Sequence, residues 1–140
     1  MINRLEFLME HEFSSVETVR KKVRAALLES FPGASAEKAA DDFCQAVSEL
    51  LNNAVKHGGG SEIRAELLLE RDRATFRLVT DGIQFDPFSG NAVMPEVDKD
   101  GHLPSGGFGL AIIRVLADNM NYEYRNGKNI TEISKVFQGG

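Results

Sequence analysis

The sequence predicts an α+β fold, a two-layer α/β sandwich in which one mixed, mostly antiparallel sheet is covered by helices on one face. Alternating apolar residues indicate strands, and longer segments with apolar residues at helical spacing indicate helices. Their order is strand, two helices, hairpin, irregular segment, helix, hairpin. Because each apolar stripe must be buried against another element, a single sheet covered on one side accommodates all of them.

The first half of the chain predicts one strand, two helices and a second strand. Ser14 followed by Glu17 has the spacing of a capping box and predicts the start of the first helix. Three glycines at 58–60 end the second helix. The predicted bounds are an edge strand within 3–13, helices over about 14–31 and 36–56, and a half-buried strand over 63–69.

The second half predicts a strand over 74–80, a helix over about 107–119 and a closing hairpin with strands 121–125 and 129–137. Asn126-Gly127 between the last two strands favours a type I′ turn. Residues 88–106 lack periodicity, and a loop of that length in a compact domain is usually functional or disordered. We therefore expect a functional or disordered loop over about 88–106 within a single domain spanning 1–140.

Composition excludes several classes of function. Sixteen basic and 21 acidic residues give a net charge of −5 without a basic run, which argues against nucleic-acid binding through bulk electrostatics. No apolar run approaches the ~18 residues of a membrane span. The lone Cys44 cannot form an internal disulfide, so a reducing cytoplasm is the expected compartment.

Polar residues spaced four apart lie on the second predicted helix. Glu49, Asn53 and His57 share one helical stripe that drifts only ~40° per step, and Lys56 lies beside it. A carboxylate, an amide and an imidazole in one row suggest a binding site. Taken alone, a solvated polar face remains the alternative.

Two later motifs complete a family pattern. DGIQFDPFSG (81–90) follows a predicted strand, and SGGFGLAII (105–113) opens the third helix. Together with the Glu-x-x-x-Asn helix, in this order, the chain resembles the GHKL (Bergerat-fold) ATPase superfamily over nearly its whole length. Within it, the short Phe-Asp-Pro form resembles the bacterial anti-sigma factors and switch-protein serine kinases.

The resemblance implies roles for the helical stripe. Asn53 would bind Mg²⁺, which prefers oxygen ligands and bridges the phosphates. Glu49 would act as the general base that accepts a proton from the attacking hydroxyl. Lys56 stands where the superfamily often has a phosphate-contacting cation, and a solvated lysine remains the alternative. The role of His57 stays open.

The resemblance also implies nucleotide contacts in the second half. Glycines at a helix start allow close backbone approach, and the exposed N–H groups there attract phosphate. Gly82 would turn the chain beneath the base, and Phe85 would pack near the adenine or in the core. Residues of about 88–106 would form the ATP lid. The nucleotide-binding candidates of the helix start are Gly106, Gly107, Phe108, Gly109 and Leu110.

One position departs from the family pattern. The family usually has an aspartate two residues before the turn glycine, and it receives the adenine amino group. Here that position is Thr80, with Asp81 next to it. In a regular strand Thr80 shares a face with Leu78 and Asp81 points away, which would weaken adenine binding by about 1–2 kcal/mol. A bulge that rotates Asp81 inward is the alternative.

The resemblance implies an anti-sigma factor with ATP-dependent protein serine kinase activity. Its expected partners are a sigma factor and an anti-sigma factor antagonist that it phosphorylates on serine, with ATP and Mg²⁺ as cofactors. We expect no direct contact with nucleic acid or membrane, and a homodimer remains open. The alternatives are a catalytically weak partner-switch binding module, consistent with Thr80, and a free-standing histidine-kinase-like ATPase domain.

Overall fold

Five strands and three helices make up the described part of the computed structural model, which covers residues 3–9, 12–57, 62–84, 86 and 109–137. For Phe13, His57 and residues 109–111 only the backbone is described. The elements in chain order are β1 (Asn3–Met9), α1 (Phe13–Ser30), α2 (Ala34–His57), β2 (Ile63–Leu69), β3 (Arg73–Asp81), α3 (Gly109–Leu116), β4 (Asn119–Arg125) and β5 (Lys128–Val136).

The strands form one sheet in the order β1-β2-β3-β5-β4. All four pairings between these strands are antiparallel, where the sequence had allowed a mixed sheet. Burial alternates along β2 and β3, so one face of the sheet is covered and the other is more open to solvent. The α+β prediction with helices on one face is confirmed.

The hydrophobic core lies between the covered face of the sheet and the helices. α1 packs on α2, and α2 contacts both β3 and α3. The α2 helix belongs in the core because its apolar residues recur at helical spacing, and its polar residues occupy the remaining positions. The side chains that fill the core and expose at most 1% of their surface include Val23, Leu27, Phe43, Leu50, Leu51, Ile63, Leu67, Phe76, Ile113, Ile133 and Phe137.

The predicted strands and hairpin agree with the structure. β2 has the predicted bounds, β3 is one residue longer at each end, and β1 is an edge strand that covers 3–9 of the predicted 3–13. The turn between β4 and β5 has positive φ at both central residues, 54° at Asn126 and 74° at Gly127, as a type I′ turn requires. This local chemistry sets the register of the hairpin.

The predicted capping box is wrong. The N-cap of α1 is Glu12, with no hydrogen bond from its side chain to the helix, and Ser14 already lies inside the first turn. The Ser14 hydroxyl donates to the Glu12 carboxylate at 3.5 Å. The Glu17 carboxylate accepts hydrogen bonds from Arg20. The two residues of the expected box therefore have other partners.

The third helix ends earlier than predicted, at Leu116 instead of Asn119. The Ala117 amide donates to the Ile113 carbonyl at 2.9 Å, and the next amide, of Asp118, donates to Ser134 of β5 at 2.8 Å. The Asp118 carboxylate also accepts from the Val136 amide at 2.7 Å. The helix therefore ends where the chain begins to form hydrogen bonds with β5.

Candidate functional site

The candidate site begins with the polar stripe of α2. Glu49 and Asn53 are partly buried and lie one turn apart, and Lys56 is exposed near the helix end. The side of α2 that carries Leu50 and Ala54 is packed into the core, so the stripe has a fixed direction relative to the sheet. The His57 side chain lies outside the described residues.

Glu49 has an unusual environment for a helix glutamate. Burial raises the pKa of its carboxyl above the ordinary value. None of the ion pairs among the described residues involves Glu49. A partly desolvated carboxylate without a salt bridge binds a proton more readily, as a general base requires.

At the end of β3, the structure distinguishes Thr80 from Asp81 by the face of the sheet on which each side chain lies. Thr80 follows Phe76 and Leu78 on the helix-covered face and is only 7% exposed. Asp81 is exposed, and its carboxylate pairs with the Lys128 ammonium at 2.8 Å. The ladder to β5 runs without interruption through Thr80↔Asn129 and Asp81↔Lys128. The alternative in which a bulge rotates Asp81 inward is therefore wrong.

Gly82 follows directly and makes a turn that requires glycine. Its φ is 130°, a conformation that other residues rarely adopt. Its amide donates to the Gly127 carbonyl at 3.1 Å, and its own carbonyl accepts from the Tyr124 hydroxyl at 2.9 Å. The strand thus ends in a turn that is fixed by the β4–β5 hairpin.

The glycine-rich helix start is described only in part. α3 begins at Gly109 and includes Leu110, whose backbone is described. Phe85, Gly106, Gly107, Phe108 and the expected lid over 88–106 lie outside the described residues. Their roles, like the phosphate contact of Lys56, stay predictions. The candidate residues lie on α2, at the end of β3 and at the start of α3. Because α2 contacts both β3 and α3, it connects the other two elements.

Three buried polar residues of β5 were missed by the sequence analysis, namely Ser134 and two residues that lie near Thr80. Asn129 is 6% exposed and Thr131 is 4% exposed, and their strand partners on the same face are Thr80 and Leu78. The signal was present in the sequence. Asn129 and Thr131 lie four and two residues before Ile133 in the same strand, so they face the core on the same side as Ile133. They add an amide and a hydroxyl beside Thr80.

The donor set fits Mg²⁺ better than a tightly ligated metal. Among the described residues, no group of three or more His, Cys, Asp or Glu side chains could hold a metal ion. Asn53 offers a neutral oxygen, and Mg²⁺ is commonly bound by one or two protein oxygens together with water and phosphate. Asn53 therefore suits an ion that arrives with a nucleotide.

Comparison with known proteins identifies the class to which this fold and site belong. The family described as the histidine kinase-like ATPase domain matches residues 9–135. The chain belongs to this family, and the GHKL resemblance is confirmed. The helix that carries Glu49 and Asn53 and the strand that ends at Asp81 both lie within the matched region.

Particular relatives are protein kinases by name. The chain is 32% identical over 100 residues to proteins named serine-protein kinase RsbW from Listeria monocytogenes serotypes 4a and 4b. The matched region is 66% of this chain and 64% of each relative, so the chain spans slightly less than two thirds of their length.

A solved structure supports the fold. The crystal structure of the RsbU and RsbW domains of Rv1364c from Mycobacterium tuberculosis superposes with a TM-score of 0.62 at 19% identity. The match covers 96% of this chain and 32% of the other.

A separate result concerns membranes: none of the helices in the described part of the chain is both long and apolar enough to cross one.

Proposed function

We propose that this protein is an anti-sigma factor with protein serine kinase activity. It binds Mg-ATP and transfers the γ-phosphoryl group to a serine of an anti-sigma factor antagonist in a bacterial partner-switching pathway. Membership of the histidine kinase-like ATPase domain family supports nucleotide binding. The similarity to proteins named serine-protein kinase RsbW supports serine as the acceptor.

The observation that carries the proposal is the environment of the Glu49 carboxyl. Its partly buried carboxyl has a raised pKa and lies one turn before Asn53. In the transfer, the serine oxygen attacks the γ-phosphorus, its proton passes to the Glu49 carboxylate, and the bond to the β-phosphate oxygen breaks to release ADP. A carboxylate that burial makes more basic is suited to accept that proton.

The other residues of the site bind and orient the nucleotide. Asn53 would contribute an oxygen ligand to Mg²⁺, and the ion would supply positive charge to offset that of the phosphates. Lys56, exposed at the end of α2, contacts phosphate, and the N-terminus of α3 supplies backbone N–H donors. Thr80 accepts from the adenine amino group through its hydroxyl.

A phosphotransfer assay tests the proposal. The protein is incubated with Mg-ATP and with each candidate antagonist encoded near its gene, and serine phosphorylation is measured by mass spectrometry. We expect one antagonist to gain one phosphate on a serine, and to gain it at least ~10²-fold more slowly when Glu49→Gln replaces the parent protein. ATP binding without transfer to any candidate would favour the second hypothesis below.

The second hypothesis is a partner-switch binding module with weak catalysis. It is favoured by Thr80, since a neutral hydroxyl replaces the family's carboxylate and Asp81 is held on the opposite face by Lys128. A sigma factor or antagonist that binds the protein with the same affinity with and without ATP would support this hypothesis.

A further inference from the structure

Four contacts hold the end of β3 and the turn that follows it, and all come from the β4–β5 hairpin. Lys128 pairs with Asp81, and Gly82 is bonded on both sides, to the Gly127 carbonyl and by the Tyr124 hydroxyl. The fourth contact is made by Asn129, whose Nδ2 donates to the Ile83 carbonyl at 3.0 Å. This residue is 46 positions from Ile83, so the contact exists only in the folded protein.

Asn129 differs from the residues that make the other contacts because it is buried and because both its Oδ1 and its Nδ2 atoms form hydrogen bonds. Its Oδ1 accepts a hydrogen bond from the Tyr122 hydroxyl at 2.5 Å, while Nδ2 donates to Ile83. The Ile83 bond fixes which way the amide points, because a carbonyl can only accept and must face Nδ2, which leaves Oδ1 for the Tyr122 hydroxyl. A buried carbonyl oxygen that lost its donor would carry a desolvation cost.

Asn129 also lies directly across the ladder from Thr80, on the same face of the sheet. A hydrogen bond from Asn129 to Ile83 therefore sets where the chain turns relative to the Thr80 side chain. Gly82, with its φ of 130°, is the hinge between these two points. A change in the turn would move the hydroxyl and the glycine relative to each other.

We propose that Asn129 is a positioning residue for purine recognition, oriented by Tyr122 and acting through the Gly82–Ile83 turn. It fixes the turn so that the Thr80 hydroxyl and the Gly82 backbone meet the same base. This inference rests on the proposed nucleotide binding and assigns purine selectivity to a residue of the last hairpin. Weak recognition by a neutral Thr80 makes accurate positioning more important, because a single hydrogen bond depends steeply on geometry.

Asn129→Asp is the sharpest test, because the side chain keeps its shape and its acceptor for Tyr122. It replaces the Nδ2 donor with an oxygen that faces the Ile83 carbonyl. We expect ATP affinity, measured by calorimetry, to fall about tenfold, which is the effect of one lost hydrogen bond. The preference for ATP over GTP should fall with it, whereas a general structural defect would weaken both nucleotides equally.

Hydrogen exchange provides a readout that does not depend on nucleotide. The amides of residues 82–84 should exchange at least about tenfold faster in Asn129→Asp than in the parent protein. Tyr122→Phe should produce a smaller change in the same direction.

Ser134→Ala is the matched control, a buried polar residue of the same strand about 17 Å further along it. It should leave exchange at 82–84 and the ATP-to-GTP ratio unchanged. Unchanged exchange in Asn129→Asp, or equal losses for ATP and GTP, would overturn the positioning role. A parent protein that binds no nucleotide would end the proposed function and the purine role together, whereas the exchange result would still decide whether Asn129 holds the turn.

Discussion

The two ends of the helix-covered face of the sheet have opposite chemistry along β3 and β5. At the end where β3 begins, Ala74, Phe76, Ile133 and Phe137 expose at most 1% of their surface, and all are apolar. At the end where β3 stops, the buried side chains include the polar residues Thr80, Asn129 and Thr131, with Leu78 beside them. The same two strands therefore build an apolar core at one end and a partly polar buried surface at the other.

The apolar end gains stability from burial alone. Phe137 stacks on Phe31 with ring centroids 4.5 Å apart and meets Phe43 edge-on at 6.2 Å. Aromatic pairs of this kind add to the free energy gained by removing apolar area from water. The cluster ties the end of β5 to α1 and α2.

The polar end costs free energy unless its groups are bonded. Asn129 meets that requirement with Tyr122 and Ile83. α2 extends from Phe43 at the apolar end for ten more residues, about 15 Å, to Asn53. Polar side chains thus collect away from the aromatic cluster, so we expect changes in the proposed nucleotide site and changes in the apolar core to have separable effects. Four substitutions test that separation.

Glu49→Gln should have the largest effect on activity. The amide keeps the shape but cannot accept the proton, so phosphotransfer should fall by ~10²–10⁴ with little change in nucleotide affinity. Turnover and calorimetric binding are measured together, with Glu29→Gln, an exposed glutamate of α1, as the control. An unaltered rate of transfer would reduce Glu49 to a structural residue.

The same variant should be more stable than the parent protein at neutral pH. Since burial raises the pKa of Glu49, its ionisation opposes folding, and the cost develops as pH rises from the ordinary value of 4.5 through the raised one. The difference in melting temperature should therefore vanish in acid, where the carboxyl is protonated in both folded and unfolded states. A stability gain that persisted unchanged below that pH would contradict burial as the cause.

Phe137→Ala should have the largest effect on stability. It removes the ring shared by Phe31 and Phe43 and should cost about 3–5 kcal/mol in the free energy of unfolding. Denaturant titration measures this cost. The fraction that remains folded should bind ATP with the affinity of the parent protein, and a loss of affinity in that fraction would show that the two ends are coupled.

Asn53→Ala should weaken Mg-ATP binding about tenfold or more, because an oxygen is lost from the metal. Asn52→Ala is the matched control, a neighbouring asparagine that is also partly buried but points ~100° away on the helix. Calorimetry with and without Mg²⁺ separates metal binding from other contacts. Equal affinities in the parent protein and Asn53→Ala would remove Asn53 from the site.

Thr80→Asp should have the smallest effect, about a tenfold gain in ATP affinity with stronger discrimination against GTP. The carboxylate would accept a hydrogen bond from the adenine amino group, whereas the guanine carbonyl oxygen at that position would be repelled by it. Because a buried carboxylate also destabilises the free protein, binding is measured far below the unfolding temperature. Asp81→Asn reports on the other face, and a larger effect there than at Thr80 would mean that Asp81 reaches the base.

Much of this architecture follows from local patterns. β2, β3 and the type I′ turn were predictable because alternation and Asn-Gly chemistry act over a few residues. The orientation of Thr80 against Asp81 was also predictable for a regular strand, but excluding a bulge required the register with β5. The capping box failed because α1 begins at Phe13 with Glu12 as its N-cap, so Ser14 lies inside the first turn and Glu17 is not at the third helical position.

The sequence by itself determined the family, the layer architecture and the stripe of Glu49 and Asn53, since motif order and helical spacing are properties of the chain. Tertiary structure decided how deeply Glu49 is buried, which raises its pKa, and where α3 stops. It also decided that Asn129 meets Ile83 and Tyr124 meets Gly82, 46 and 42 positions apart. Contacts over such separations depend on which strands pair, and strand order is a consequence of the whole core being buried at once.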